Sequence, residues 1–363
     1  MNPHFSEIKK NFGFGMMRLP KKADGSIDDK EVERMIGDFL AMGFNYFDTA
    51  APYHNGDSEG VVYRELTSKY PRNSYVLADK LSNMFFEKEE DIRPFFEGQL
   101  KKCGVEYFDF YLMHALSASR HEKWTQCRAY DIAQELKAEG KIRHVGMSFH
   151  DSAEVLDKIL TERPELEFVQ LQFNYVDYED PDVESRACYE VCRKHGKPVF
   201  VMEPVKGGSL VNLPQEALDL MEKSPVNYAI RFAAGFEDIA MVLSGMSDES
   251  QLLENLRFMK NFQPLTEEEH KMLEKVRTIY QAQHKIPCTA CRYCVDGCPA
   301  GIPIPDLFAF ANEKHKKEPN PEGAYTDFEV NGSACLDCGK CEAECPQRLH
   351  IRKLLQDIHK EFA

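Results

Sequence analysis

The chain has 363 residues, 43% hydrophobic and 29% charged, with a net charge of −15. That is the composition of an ordinary globular protein long enough for two domains, one of them large. It excludes a membrane-spanning helix, because no run approaches about 18 apolar residues, and a nucleic-acid surface, which needs a basic patch. Residues 284–363 carry 10 Lys/Arg and 12 Asp/Glu, against 35 and 48 in residues 1–283, so the acidity lies in the larger part and reads as solubility. The opening MNPHFSEIKK has no apolar stretch after its charges and does not read as a secretory signal. No membrane partner is expected, and a cytoplasmic location is.

In chain order, short β-rich runs are expected as strands at 12–17, 44–48, 75–80, 107–113, 142–147, 168–172, 198–202 and 239–244. Amphipathic helical stretches follow them, the first over 28–43 with Val32, Ile36, Phe39 and Leu40 at helical spacing. Others start near 57, 89, 122, 152, 182, 225 and 249. Eight strand–helix units in about 250 residues have the rhythm of a (β/α)8 TIM barrel, an α/β fold. The competing doubly wound sheet would open with a glycine-rich phosphate loop, and GFGMMRLP (13–20) is not one. The expected organisation is a barrel over 1–265, a connecting helix over 266–283 and a cysteine-rich domain over 284–350. A C-terminal helix over 351–363 completes it, with Ile351, Leu354, Leu355 and Ile358 on one face. The connecting helix opens with Thr266 and Glu269 in capping-box spacing.

Two cysteine runs dominate the C-terminal part: Cys288, Cys291, Cys294, Cys298 with Pro299, and Cys335, Cys338, Cys341, Cys345 with Pro346. Each reads C-x2-C-x2-C-x3-C-P. Structural zinc sites usually pair two C-x2-C knuckles across a long loop, which is a different pattern. The segment resembles a two-cluster ferredoxin domain, which implies two [4Fe-4S] clusters as metal centres. In that arrangement the fourth cysteine of each run serves the other cluster. One would take Cys288, Cys291, Cys294 and Cys345, and the other Cys335, Cys338, Cys341 and Cys298. Cys103, Cys127, Cys188 and Cys192 are left over and read as free thiols, consistent with a reducing compartment.

On the expected barrel, Asp48 and Tyr53 close strand two, Lys80 strand three and His114 strand four. All four fall at the C-terminal rim where barrel enzymes place their chemistry. The motifs FDTAAPYHNGDSE (47–59), LADK, YLMH, GMS (146–148), EPVKGGSL (203–210) and LSGMSDESQLLEN (243–255) resemble the aldo/keto reductase family over residues 12–262. The resemblance implies that Asp48, Tyr53, Lys80 and His114 are the catalytic tetrad of a carbonyl-reducing or alcohol-oxidising enzyme. Tyrosine, with a pKa near 10, needs a neighbouring ammonium such as Lys80 to act as an acid–base group. Asp48 would hold the lysine, and His114 would orient the carbonyl oxygen.

The same resemblance places Ser148 and Gln170 at the nicotinamide amide of NADPH or NADH. It places Gly207 and Gly208 at the pyrophosphate, and Gln251 and Asn255 toward the adenosine end. Phe149, Met202 and Gly245 depart from the family's usual residues there, as Gln251 does from a basic one. Asn83, Phe85, Phe86 and Trp124 are expected either at the substrate rim or packing loops. A nicotinamide moves two electrons and a cluster normally one, so direct exchange is not expected and a flavin is the usual adapter. Three readings therefore stand. The chain is a nicotinamide-dependent reductase of a small carbonyl or alcohol substrate, a relay from a ferredoxin-like electron donor or acceptor, or a redox-sensing module. Oligomeric state is not readable.

Overall fold

The computed structural model describes residues 2–283, 285–312 and 321–363. His284, at the head of the expected cluster domain, and residues 316–320 of the polar stretch between the cysteine runs lie outside them. The chain divides into two compact units, Met1–Pro204 with Lys223–Lys271, and Val205–Glu222 with Met272–Ala363.

In the first unit eight parallel strands close into a barrel in sequence order. They are β1 (Phe12–Gly15), β2 (Tyr46–Asp48), β3 (Val76–Leu81), β4 (Phe108–Leu116), β5 (Ile142–Phe149), β6 (Val169–Gln172), β7 (Val199–Met202) and β8 (Ile239–Gly245). Closure comes from β1 pairing with β8, Phe12 opposite Val242 through Gly15 opposite Gly245. The helices in chain order are α1 (Asp29–Ala41), α2 (Ser58–Val61), α3 (Glu89–Cys103), α4 (Ala118–Gln126), α5 (Ala129–Ala138), α6 (Ala153–Glu162) and α7 (Ser185–Lys194). They continue as α8 (Gln215–Leu218, second unit), α9 (Pro225–Ala234), α10 (Glu249–Lys260) and α11 (Glu267–Gln281).

The barrel is filled by large apolar side chains. Phe110, Phe168 and Phe200 meet Phe5 of the N-terminal segment, ring centroids 5.0, 6.0 and 5.7 Å away. Each fully buried phenylalanine stabilises by about 1.5–3 kcal/mol. Gly146 on β5 makes room for this packing, since a Cβ there would lie 2.4 Å from the Phe168 ring. The helix expected to start near 122 is two helices, because Arg128 between α4 and α5 is left-handed (φ 52°). Its guanidinium binds Glu89 at 2.6 Å and Glu135 at 3.1 Å. The helix expected near 57 keeps α-geometry for one turn, α2, and widens to a π-helix over Val62–Thr67. At the start of α11 the capping box forms: Thr266 N–H donates to Glu269 and Glu269 N–H to Thr266 Oγ1. Glu269 also takes both terminal nitrogens of the buried Arg231, which with Lys223 holds its carboxyl down at about 2.

Beside this core His144 stands between Glu167 at 3.0 Å and Glu7 at 2.7 Å. Burial alone would lower its pKa, but the two carboxylates outweigh burial and raise it to about 9. A folded-state value above the unfolded one gives stability that is complete below pH about 6.5 and lost as pH rises through about 9. The barrel is therefore expected to lose on the order of 2–3 kcal/mol across that window. Urea unfolding from pH 6 to 10 checks it, and His144→Gln should flatten the profile.

The second unit is built around the two cysteine runs. Both loops carry left-handed residues at matching places: Ala290 and Arg292 in the first, Asp337 and Gly339 in the second. Gly301 and Arg348, each three residues after a fourth cysteine, match as well. Each run then enters one short helix, α12 (Tyr293–Asp296) or α15 (Lys340–Ala343), and leads on to a longer one, α13 (Ile304–Asn312) or α16 (Ile351–Phe362), with α14 (Pro321–Thr326) between. Ile351, Leu355, Ile358 and Phe362 of α16 pack with Ile302, Leu307, Phe308 and Phe310 in one core. Leu354, expected on that face, is half-buried at its edge. Among the described residues no helix is long and apolar enough to cross a membrane.

Candidate active site and cluster sites

The barrel brings the four rim residues together. Lys80, on an inward position of β3 and fully buried, donates from Nζ to Asp48 Oδ1 at 2.6 Å and to the Thr49 carbonyl at 2.7 Å. The same ammonium lies 5.0 Å from the centroid of the Tyr53 ring. The His114 ring meets Tyr53 edge-on, centroids 6.2 Å apart. Burial raises the Asp48 carboxyl from its ordinary value, and the Lys80 charge pulls it back. Asp48 Oδ2 is buried with no hydrogen-bond partner, so Lys80 is the main compensation for that carboxylate.

Local backbone geometry explains how these side chains converge. Tyr53 opens a 3-10 turn in which His54 and Asn55 are left-handed (φ 53° and 54°). His54 anchors the turn: its Nε2 stands 3.1 Å from the Met16 carbonyl oxygen and 3.3 Å from the Leu19 amide nitrogen. Burial lowers the His54 pKa, which keeps the ring neutral. A second tie joins Thr49 Oγ1 and Ser58 Oγ at 2.8 Å. In β4 the register slips between Met113 and Leu116, and Ala115 takes a left-handed φ of 55°. A bulge of this kind re-aims a side chain, here His114, and non-glycine strain at such a place is a common mark of function. The Ala115 amide donates to Ser148 Oγ at 2.7 Å. His114 Nδ1 is 2.6 Å from Ser82 Oγ. Burial first, then the charges of Lys80, Arg120 and His150, push the imidazole well below its ordinary pKa, so it is neutral.

The residues expected at a cofactor are distributed over both units. Ser148 and Gln170 face each other across the β5–β6 pairing, and Gln170 Oε1 is buried with no hydrogen-bond partner. Asn255 Oδ1, on α10, is likewise buried without one. Gln251 is engaged at the start of α10, its Nε2 donating to Asp248 and its Oε1 accepting from the Ser247 amide. Gly207 and Gly208 belong to the second unit. Gly207 (φ 64°) has Thr289 where a side chain would begin, 2.8 Å from an added Cβ, whereas the same direction at Gly208 (φ 96°) is open. Phe86 and Trp124 are buried and pack edge-on against each other at 5.2 Å. Phe85 stacks on Phe95 at 4.7 Å. These rings therefore pack the loops.

Three participants carried no sequence signal. Ser82 and Ala115 act through contacts between strands, which no spacing rule marks. Arg18, on the turn after β1, lies along Gly245, its Cβ, Cγ and Cδ 3.1–3.3 Å from where a side chain there would start.

In the second unit the eight cysteines of the two runs line two cavities, four each. Cys288, Cys291, Cys294 and Cys345 line one, with Gln347. Cys298, Cys335, Cys338 and Cys341 line the other, with Leu336. Ile304 lines both. Among the described residues no three His, Cys, Asp or Glu groups converge on a single ion. The buried Lys206 has Nζ 3.5 Å from Gln347 Oε1. Cys103, Cys127, Cys188 and Cys192 are buried.

An eight-stranded parallel barrel with an Asp–Lys–Tyr–His cluster at its C-terminal rim belongs to a known class of oxidoreductase. The aldo/keto reductase family model matches residues 11–278, and a 4Fe-4S dicluster domain model matches residues 287–349. The chain belongs to the aldo/keto reductase family and carries a C-terminal 4Fe-4S domain. An aldo-keto reductase of Mycolicibacterium vanbaalenii is 27% identical over 238 residues, 64% of this chain and 79% of that protein. Among solved structures, the holo form of an aldo-keto reductase from Bacillus halodurans superposes with a TM-score of 0.61 at 23% identity, covering 73% of this chain and 91% of that one. An aldo-keto reductase from Klebsiella pneumoniae in complex with NADPH gives a TM-score of 0.61 at 17% identity, covering 74% and 90%. At those identities the two structures support the fold.

Proposed function

We propose that the barrel interconverts a small carbonyl compound and its alcohol with a nicotinamide cofactor, and that the second unit holds two [4Fe-4S] clusters. The observation that carries the first part is the Lys80 ammonium set between the Asp48 carboxylate and the Tyr53 ring. A reduced nicotinamide supplies a hydride. Tyr53 protonates the alkoxide oxygen, Lys80 stabilises the phenolate left behind, and Asp48 keeps Lys80 charged and in place. Neutral His114 accepts a hydrogen bond from the Ser82 hydroxyl at Nδ1 and offers Nε2–H to the carbonyl oxygen.

The donor set suits a nicotinamide. The orphaned Gln170 Oε1 is an acceptor for the carboxamide NH2, and the Ser148 hydroxyl, whose oxygen already holds the Ala115 amide, is a donor for its carbonyl. Asn255 Oδ1 offers a second buried acceptor, for the adenosine end. Gln251, at the start of the same helix, is a further contact toward that end. Anaerobic titration with NADPH and with NADH, followed by turnover on an aldehyde and ketone panel, tests this. Saturable binding and turnover are expected, and absence of both across the panel rejects the reading.

The cluster ligands assigned are Cys288, Cys291, Cys294 and Cys345 for one cluster and Cys298, Cys335, Cys338 and Cys341 for the other. Their support is the four-and-four lining of the two cavities. A second reading rests on Ile304, which lines both: centres separated by one side chain suit one-electron transfer between them. As a relay to or from a ferredoxin-like partner, the chain would need a two-electron adapter such as a flavin before a hydride carrier. Including FMN in the same titration separates the two readings.

A further inference from the structure

Gln99, midway along α3, lies in none of the sequence motifs and is fully buried. Its amide nitrogen donates to the Lys80 carbonyl at 3.1 Å and to Glu59 Oε1 at 3.0 Å, while its oxygen accepts from Tyr111 OH at 2.6 Å. Only one orientation of the amide meets all three, because the opposite one would set its oxygen against a carbonyl and a carboxylate. The three partners sit on the elements that carry the proposed reaction. Glu59 is on α2, directly after the Tyr53 turn; Lys80 is on β3; Tyr111 is on β4, three residues before His114.

The surroundings hold this amide rigidly. Glu59 Oε2 is bound by Lys102 at 3.1 Å. Asp79 accepts from the Lys80 amide at 2.8 Å. Burial, and then the charge of Glu59, raise Asp79 well above the ordinary carboxyl range. Burial likewise keeps the Tyr111 hydroxyl protonated and donating.

We infer that Gln99 is a positioning residue, a side chain that fixes the Tyr53 turn, the Lys80 strand and the His114 strand relative to one another. This rests on the reductase reading above. A shift of about 1 Å in reacting groups can cost about a hundredfold in rate even when its origin is remote.

The test uses the full-length, cluster-replete protein with NADPH or NADH and 4-nitrobenzaldehyde as probes. Gln99→Leu is expected to lower kcat about tenfold to a hundredfold with KM and cofactor binding little changed. It should also displace the pH dependence of kcat, because the Lys80–Tyr53 separation sets the acid. Tyr111→Phe, which removes one bond and keeps the ring, should move kcat and the pH profile the same way by less; it decides the matter if Gln99→Leu does not fold. Glu59→Gln keeps an acceptor opposite Gln99 and should retain more activity than Glu59→Leu. Folded variants with the wild-type pH profile and kcat overturn the inference. Tyr53→Phe run in parallel separates the two claims. If it is inactive while Gln99→Leu and Tyr111→Phe are unaffected, only the positioning role fails. If it is fully active, the proton assignment fails and this inference with it; if the wild type neither binds a nicotinamide nor turns over any member of the aldehyde and ketone panel, the reductase reading fails and takes this inference with it.

Discussion

Tyr53→Phe is expected to lower kcat for carbonyl reduction by about 10^2–10^4-fold, the range ascribed to a positioned general acid, while leaving nicotinamide binding and the fold intact. The substitution removes one hydroxyl from a ring already packed beside His114 and Lys80. The phenyl body stays, so the contacts that place the turn are kept. Lys80 retains Asp48 and the Thr49 carbonyl, so no charge is stranded. That makes Tyr53 a cleaner probe than Lys80 or Asp48, whose removal leaves a buried charge unpaired. Steady-state rates with NADPH and NADH, alongside cofactor titration of the same variant, check it. Retained turnover would assign the proton to another group.

The fold was legible because barrel strands buried on both faces read as compact apolar runs. VLADKL and FDFYLMHAL are wholly buried here, and all eight expected strands overlap the observed ones. The cysteine runs were legible for a stricter reason: three thiols two residues apart demand a tight loop, and alternate left-handed residues provide it in both. The four rim residues could be placed because each ends, or follows, its own strand.

What could not be read depends on contacts between elements. ASRHEKWTQCRAYDIAQELKAEG has no glycine or proline near residue 128, yet a left-handed Arg128, bonded to Glu89 and Glu135, separates it into two helices. The bulge at Ala115 that presents His114 has no glycine to announce it. Gln99 looks like any polar residue on an amphipathic helix until its three partners are known. Gly207 fits a phosphate loop by motif, but the space beside it is taken by Thr289, a neighbour of Cys288. A residue can thus sit in a barrel-family motif and yet pack within the cysteine-rich unit.

Loss of Cys345 is expected to empty the cluster of the other run. Cys345 shares its cavity with Cys288, Cys291 and Cys294, not with Cys335, Cys338 and Cys341. Cys345→Ala should therefore bring the protein from about eight iron and eight sulfide per chain to about four of each. A single variant does not distinguish crossed from in-run ligation, because either loses one cluster. Paired variants do. With crossed ligation, Cys291→Ala combined with Cys345→Ala strikes one cluster twice and retains about four iron. Cys341→Ala combined with Cys345→Ala strikes both and retains close to none. In-run ligation reverses the two outcomes. Iron and acid-labile sulfide on anaerobically purified protein, with electron paramagnetic resonance after reduction, reads the result. The reduced wild type should show two interacting spins, and the Cys291/Cys345 pair of substitutions a single isolated one, if the centres flank Ile304 as the cavities do.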